Sequence, residues 1–396
     1  MGVADLVRTL RRAFTRAIAS IDPAARVREA IAGRGFARVL AVGKAAPSML
    51  AGALGPELRS ALLVVPEGTR VTWVDPHTEV LFADHPLPTA RSVAAAERAL
   101  AFAAKGSMLA LISGGASSLL CAPQEGLSLE RKRALVRALL AAGVPISDVN
   151  VVRRHLSRVK GGRLGVACGG EVLTLIASDV LKGAPWDVGS GPTVPDPTTA
   201  DDARAVIARL GPEWADLAPT ESVAPTDPRA RALEHRIVLS PADLLDAAKV
   251  ALEAEEYRVY TLPSAERDVG ELAAAYAGLA QTLSPGDALV RVAEPTVEVT
   301  VPDPGRGGRS THLAAMASTR LPADVALLCG ASDGVDGASD SAGAIGIGAA
   351  VRGMDVRGAL ARFDTATLHA NAGTLLDLGG PTGVNLCDVH VLARAR

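Results

Sequence analysis

Four glycine-rich clusters between residues 111 and 199 set hydroxyl and cationic side chains beside uncrowded backbone. They are Leu111-Ile112-Ser113-Gly114-Gly115-Ala116-Ser117-Ser118, the run Arg153 to Gly162, Ser178-Asp179-Val180 and Gly189-Ser190-Gly191-Pro192-Thr193. Each follows, or nearly follows, an apolar run with the composition of a buried strand. Exposed N–H groups at strand ends and helix starts, joined by Lys and Arg, are what nucleotide phosphates need. Gly43-Lys44-Ala45-Ala46 adds a lysine where a strand gives way to a helix, the place for a phosphate-contacting cation, with an ordinary surface lysine as the alternative. It is not a P-loop, because Gly-x-x-x-x-Gly-Lys-[Ser/Thr] is absent.

Ser113, Gly114, Gly115, Ser117 and Ser118 can lay successive N–H groups and hydroxyls around an anion. A serine-nucleophile reading finds neither the Gly-x-Ser-x-Gly elbow nor a triad order for His155 and Asp179. Residues 153–163 hold five cations and a histidine in eleven positions, on a helix that Ser147 is expected to cap. Arg153, Arg154 and Lys160 read as a cationic wall for phosphates or a substrate carboxylate, the alternative being a solvated basic helix. Gly161 and Gly162 would admit a ligand close to Lys160. Asp179, ending an apolar strand, stands where a metal-binding or proton-accepting carboxylate would sit, with structural capping as the alternative. Ser190, Gly191 and Thr193 read as phosphate contacts or as a rigid turn. In the second half, Arg309 beside Gly307 and Gly308 offers a guanidinium fork to phosphoryl charge. Asp333 and Asp336, with Asp340, have the carboxylate density for Mg²⁺ without EF-hand spacing. Asn385 lies in a late polar turn that would return to the same site.

The elements that must hold these residues alternate between strand-like and helix-like runs, the pattern of parallel α/β layers. Expected strands are 38–42, 61–65, 108–112, 172–177, 237–239, 258–262, 288–292, 296–301 and 324–329. Expected helices include one capped by Thr89, one from Ser128 to Leu140 burying Leu135, Val136, Leu139 and Leu140, and ones over 202–210, after Ser240-Pro241, and over 269–283. The stretch 184–235, rich in Pro, Asp and Thr, marks the expected boundary between domains 1–235 and 236–396. Two α/β/α domains with mainly parallel sheets and a cleft between them follow. With 396 residues, 48% apolar content and a net charge of −2, the chain has ample core and no broad nucleic-acid footprint. No signal-peptide pattern and no membrane-spanning run is present, so neither membrane nor nucleic acid is an expected partner. The four dispersed cysteines suit reduced thiols in a cytoplasmic protein.

Taken in order, the motifs resemble those of the class II glycerate kinases. The likeness rests on Val42-Gly43-Lys44-Ala45-Ala46, Asp84-His85-Pro86-Leu87-Pro88, the Ser113 cluster, Arg153-Arg154-His155-Leu156-Ser157 with Lys160-Gly161-Gly162, Ser178-Asp179-Val180 and Ser190-Gly191-Pro192-Thr193. Gly307-Gly308-Arg309, Asp333-Gly334-Val335-Asp336-Gly337 and Gly380-Pro381-Thr382-Gly383-Val384-Asn385 resemble the MOFRL-type domain of that family. The resemblance implies a Rossmann-like N-terminal domain and an ATP- and Mg²⁺-dependent kinase acting on the 2-hydroxyl of D-glycerate. It implies that Lys44 and Arg309 face each other across the interdomain cleft at the reacting phosphoryl group. By the same resemblance Asp179 is a cleft carboxylate, Asp333 and Asp336 stand near the nucleotide or metal, and Asn385 shapes the site. Glu294 keeps the carboxylate of a Gly-Gly-Glu motif and is assigned to the substrate. A homodimer is implied by analogy.

The departures cluster at the same motifs. Lys182-Gly183-Ala184-Pro185 replaces the family's Gly-Asp-Asp, Ser310-Thr311-His312 follows Gly308-Arg309 in place of Asn-x-Glu, and Ala331-Ser332 replaces Gly-Thr. Three other readings stay open on the sequence. A kinase of another hydroxy or sugar acid would turn over tetronates, and a hydroxypyruvate reductase, the family's older label, would bind nicotinamide. A non-catalytic homologue would bind ATP without turnover. The reductase reading lacks a Gly-x-Gly-x-x-Gly fingerprint after the first strand.

Overall fold

The computed structural model describes residues 2–73 and 75–396. Strands β1 (Arg38–Val42), β2 (Ser60–Pro66), β3 (Thr78–Ala83), β4 (Met108–Ser113), β5 (Val172–Ala177) and β6 (Leu233–Leu239) form one sheet, in the order β3-β2-β1-β4-β5-β6. Every pairing in it is parallel. Strands β4 and β5 are buried at every position, as expected where helices cover both faces. The expected helix caps at Thr89 and Ser128 are present, their hydroxyls accepting from Arg91 N and Arg131 N.

The second sheet contains β7 (Arg258–Thr261), β8 (Asp287–Ala293), β9 (Val325–Ala331), β10 (Gly343–Gly346), β11 (Leu375–Leu376) and β12 (Asp388–Arg394). Its order is β11-β10-β9-β12-β8-β7, and only β7 and β8 pair in parallel. The C-terminal strand β12 inserts antiparallel between β8 and β9. Mainly parallel pairing was expected of both sheets, and the alternation of elements gives no sign of this reversal. One cause is local: the β9–β10 link is short for a crossover, which takes a dozen or more residues and favours a helix.

The chain divides into two compact units, residues 23–239 and residues 1–22 with 240–396. Strand β6, expected to open the second domain, is instead the edge of the first sheet, paired with β5. The N-terminal helix Val3–Ala19 belongs with the C-terminal unit, not with the domain that follows it in sequence. Its buried stripe runs Leu6, Leu10, Ala13, Phe14 and Ala17, a helical spacing, while Arg12 Nε donates to Glu255 Oε1 at 2.7 Å. Phe14 lies over Gly330 of β9, where an added Cβ would come within 2.6 Å of the ring.

Residues 296–301 alternate in polarity yet form no strand beyond one bridge from Thr296 to Asp268. Pro295, Pro302 and Pro304 flank the segment and cannot donate to a ladder, and Val299 is exposed. Leu140, expected in a buried stripe with Leu135 and Leu139, is 48% exposed. The helix expected to start at Ser147 begins at Ile146, after Pro145.

Because Phe14 is buried against β9, Phe14→Ala should destabilise the C-terminal unit by about 3–5 kcal/mol. Urea unfolding followed at that unit would show it, and a loss under 1 kcal/mol would detach the helix from this core.

Candidate active site

Strand order reverses at β1: β2 lies on one side and β4 on the other, so the loops after β1 and β4 leave the sheet in opposite directions. In open α/β sheets that switch point leaves a crevice at the carboxyl ends of the strands. Here it is lined by Gly43-Lys44-Ala45-Ala46 and the Ser113 cluster. Gly43 adopts φ +126°, and a Cβ there would strike the Ser113 hydroxyl and come 2.7 Å from its carbonyl oxygen. Lys44 N donates to Gly114 O at 2.9 Å, and Ala45 N donates to Ser113 Oγ at 3.0 Å. The two turns are thus laced together, and Ser113 is spent on that lacing.

Gly115, at φ +88°, starts the short helix Ala116–Leu119. A Cβ on it would meet the His85 ring at 3.2 Å and Lys44 Cγ at 3.5 Å, so Lys44 and His85 both pass over this glycine. Partial desolvation and then the charge of Lys44 hold the His85 imidazole below its ordinary range. On the other side, Asp179 lies against Gly114, its carboxylate filling the space a Cβ would take. Asp179 is positioned by β5 through the Ser178 N to Leu239 O bond at 2.8 Å. The N–H groups of Gly114, Gly115 and Ala116 donate to no protein acceptor among the described residues. One lysine, one carboxylate and bare amides therefore share a few ångströms at the switch point.

Other expected residues fall elsewhere. Ser117 Oγ pairs with Ser190 Oγ at 3.0 Å, and Ser118 Oγ donates to Pro86 O at 2.7 Å. Lys160 is buried and donates to Ser117 O at 2.7 Å and Leu120 O at 3.0 Å, so it caps the carbonyl end of the short helix. Burial, opposed by Cys121 and reinforced by Lys132 and Arg153, pulls its ammonium down to about 7. Gly161 and Gly162 admit the chain's own residues 222–223, not a ligand: a Cβ on Gly162 would sit 2.9 Å from Val223 Cβ. Arg154 is also internal. Its Nε donates to Asp196 at 2.9 Å and its Nη1 to Asp187 at 3.2 Å, while Nη2 faces Thr198 Oγ1 at 3.5 Å. Thr193 is buried against Thr174 (2.8 Å), and Gly191 packs on Trp186, so the turn after Ser190 is scaffold. Arg153 is half-buried and bonds Asn150 at 3.1 Å.

In the second unit Arg309 opens the helix Arg309–Ser318. Its Nε and Nη2 grip Asp388 at 2.8 and 3.0 Å, and Nη1 reaches Glu294 at 3.3 Å. Burial opposes its charge, but Asp388 and then Glu294 hold the guanidinium above its ordinary range. Asp388, the buried partner that positions Arg309, escaped sequence reasoning because it starts the unexpected strand β12. Its one signal is the only acid amid the apolar run 386–393. Asp336 is buried and accepts from Ser310 N at 2.9 Å and Thr311 N at 2.8 Å. Its carboxylate already occupies the N-terminus of this helix and packs on Gly308, while Gly307 lies against Thr365. Gly308 is the N-cap of this helix, and both oxygens of Asp336 are engaged by its first turn. Asp333 accepts from Val335 N at 3.2 Å, and Asn385 Oδ1 from Cys387 N at 3.0 Å, each shaping its own turn.

No group of three or more His, Cys, Asp or Glu side chains among the described residues could hold a metal alone. A single carboxylate beside unpartnered amides does suit Mg²⁺, which keeps water and phosphate oxygens for most of its shell.

Comparison with known proteins bears on the family and the fold. The family model "Domain of unknown function (DUF4147)" matches residues 9–220, and the MOFRL family model matches residues 287–388. The chain is 36% identical to a putative hydroxypyruvate reductase of Agrobacterium vitis, covering 97% of this chain and 93% of that protein. It is 30% identical to the D-glycerate 2-kinase of Thermotoga maritima, covering 95% of each. A crystal structure of glycerate kinase from Thermotoga maritima superposes with a TM-score of 0.85 at 27% identity, covering 99% of this chain and all of that one.

Desolvation pushes the Asp336 carboxyl up to about 6, against the pull of its two backbone donors. The folded chain therefore binds this proton more tightly than the unfolded chain does. Stability from this group is complete below about pH 4 and is lost as pH rises through 6, by about 3 kcal/mol at about 1.4 kcal/mol per unit. Wild type should accordingly lose stability relative to Asp336→Asn between pH 4 and 7 in denaturant titrations, and a constant difference would refute the assignment.

Proposed function

The chain belongs to the class II glycerate kinase family, and we propose from that premise that it transfers the γ-phosphoryl group of ATP to the 2-hydroxyl of a small hydroxy acid, D-glycerate first. The observation that carries this reading is the meeting of Lys44, Asp179 and the open N–H groups of Gly114 to Ala116 at the β1/β4 switch point. Phosphoryl transfer needs alignment and neutralised charge more than covalent help, and these groups supply both.

The amides of Gly114 to Ala116 receive phosphate oxygens, and Lys44 neutralises the group in transfer. Arg309, held in orientation by Asp388, is proposed as the cation that the second unit offers to phosphoryl charge. Asp179 orients the acceptor: as the 2-oxygen bonds to the γ-phosphorus, the bond from that phosphorus to ADP breaks, and the hydroxyl proton passes to the carboxylate. Asp179 is the carboxylate that would hold Mg²⁺, which would supply charge neutralisation along the phosphates when bound. Ser117 and Ser118 border the phosphate loop, and buried Ser190 backs Ser117 from within. The proposed setting is cytoplasmic. Hydride transfer has less support, since the turn after β1 is Gly43-Lys44-Ala45-Ala46 and carries no dinucleotide fingerprint.

An ATP-consumption assay over small hydroxy acids, with phosphorus NMR placing the new ester, tests the reaction. Turnover with D-glycerate and a 2-phospho product is the expected outcome, and NADH oxidation with hydroxypyruvate in its place would overturn it. Lys44→Met should lower kcat by about 100-fold or more, the scale of losing one preorganised charge, with little change in Tm. Undiminished turnover would remove Lys44 from the mechanism.

A further inference from the structure

Beside the switch point the first unit contains a 230 Å³ cavity walled by the helix Leu129–Ala141, the segment Pro86–Pro88 and the short helix after Gly115. That size is below the roughly 300–1,000 Å³ of pockets for drug-sized ligands, which suits an acid of a few heavy atoms and excludes a nucleotide. Five cationic side chains line it, Lys132, Arg133, Arg137, Arg153 and Lys160, and no Asp or Glu does. None of the five is ion-paired with a carboxylate among the described residues.

The five have different duties. Lys132 and Lys160 are buried, and their amines donate to backbone carbonyls, Leu156 O at 2.6 Å and Ser117 O at 2.7 Å. Burial pulls both ammonium groups down, to about 8 and about 7, so the lasting positive charge of the cavity comes from the arginines. The guanidinium groups are less committed. Arg133 Nε is buried without a hydrogen-bond partner, a costly state for a charged group unless something else receives it. Arg137, one turn further on the same helix, borders the same space. Uncompensated charge of this density needs an anion.

The remaining wall is apolar, from Leu87, Val136 and Leu140, and this decides which anion. An inorganic oxyanion has nothing to place there, whereas the carbon skeleton of a carboxylic acid does. The exposure of Leu140, at odds with its helical spacing, is explained by its place at this mouth. The cavity also adjoins the reacting groups through two short links. Pro86 follows His85, whose ring lies on Gly115, and Ser118 on the short helix donates to Pro86 O.

We propose that this cavity is the acceptor pocket, in which Arg133, Arg137 and Arg153 hold the carboxylate of a small 2-hydroxy monocarboxylate while Leu87, Val136 and Leu140 receive its carbon chain. It rests on the kinase reading for the direction of the hydroxyl, toward Lys44 and Asp179, but not for the binding itself. Of the cations first expected to bind substrate, Arg153 alone keeps a direct part.

Calorimetric titration of the full chain with D-glycerate, D-lactate and inorganic phosphate tests the pocket independently of turnover. Both acids should bind, with lactate within about fivefold of glycerate because its methyl meets the apolar wall, and phosphate should compete with them at least tenfold more weakly. Arg133→Gln and Leu140→Glu should each raise the acid Kd, and the KM in the ATP-coupled assay, at least tenfold with kcat altered less than threefold. Leu140 is half exposed, so its variant keeps the test open if the arginine variant misfolds. Phosphate that displaces the bound acids at equal concentration, failure of both acids to bind, or an unmoved Kd in both variants would overturn the pocket. Acid binding that both variants abolish, in a chain with no ATP turnover, would uphold the pocket and sink the kinase reading.

Discussion

The first unit depends on one close approach: the turn after β1 pressed into the turn after β4. With no Cβ on Gly43, the Ser113 carbonyl and hydroxyl come within contact distance and two hydrogen bonds lock the turns. With none on Gly114, the Asp179 carboxylate closes in from β5. Alanine at either position would push apart the very groups that must converge. The sheet order makes this approach possible, because only at the β1/β4 reversal do successive loops part and leave room above the strand ends. Lys44 and His85 then lie over Gly115, and three loops distant in sequence share one small space.

Around that space the chain spends much of its charge on architecture. Arg154, Asp196 and Asp187 form a buried ion-pair network under the loop 187–198. Such groups add little net stability but are expensive to break, since the partner left behind is an uncompensated charge. Arg309 with Asp388 in the second unit follows the same logic: Asp388 is 1% exposed, and its bidentate grip fixes the guanidinium. Asp336 shows the reverse case, a carboxylate held at a helix N-terminus at the cost of a raised pKa. Charged residues near a site thus sort by partner. Those facing carboxylates are scaffold or are held in orientation, and those facing none line the cavity.

Much of this was legible in the sequence. The apolar runs that became β1, β4 and β5 are too short for helices; glycine follows the first two and Ser178-Asp179 the third, so strand and ligand loop could be read together. Lys44, the Ser113 cluster and Asp179 were found because their signal is local. What could not be read is where a side chain points once the chain folds back. Gly161-Gly162 reads as an open approach to ligand and proves to be a seat for Ser222 and Val223, residues far along the chain. Arg154 reads like Arg153 one position earlier, yet the helix turns one inward to Asp196 and leaves the other beside the cavity. Asp388 and β12 stayed hidden because a lone acid in an apolar run gives no hint that the last strand enters mid-sheet. Residues 296–301 misled in the opposite direction, alternation being outweighed by flanking prolines.

Hydrogen–deuterium exchange with a non-hydrolysable ATP analogue and Mg²⁺ tests the central claim, that phosphate is received where β1 and β4 diverge. Slowed exchange over residues 113–118 and 43–46, with the buried turn 190–194 unaltered, is the expected pattern. Nucleotide binding that leaves 113–118 exchanging as in the free chain would contradict it.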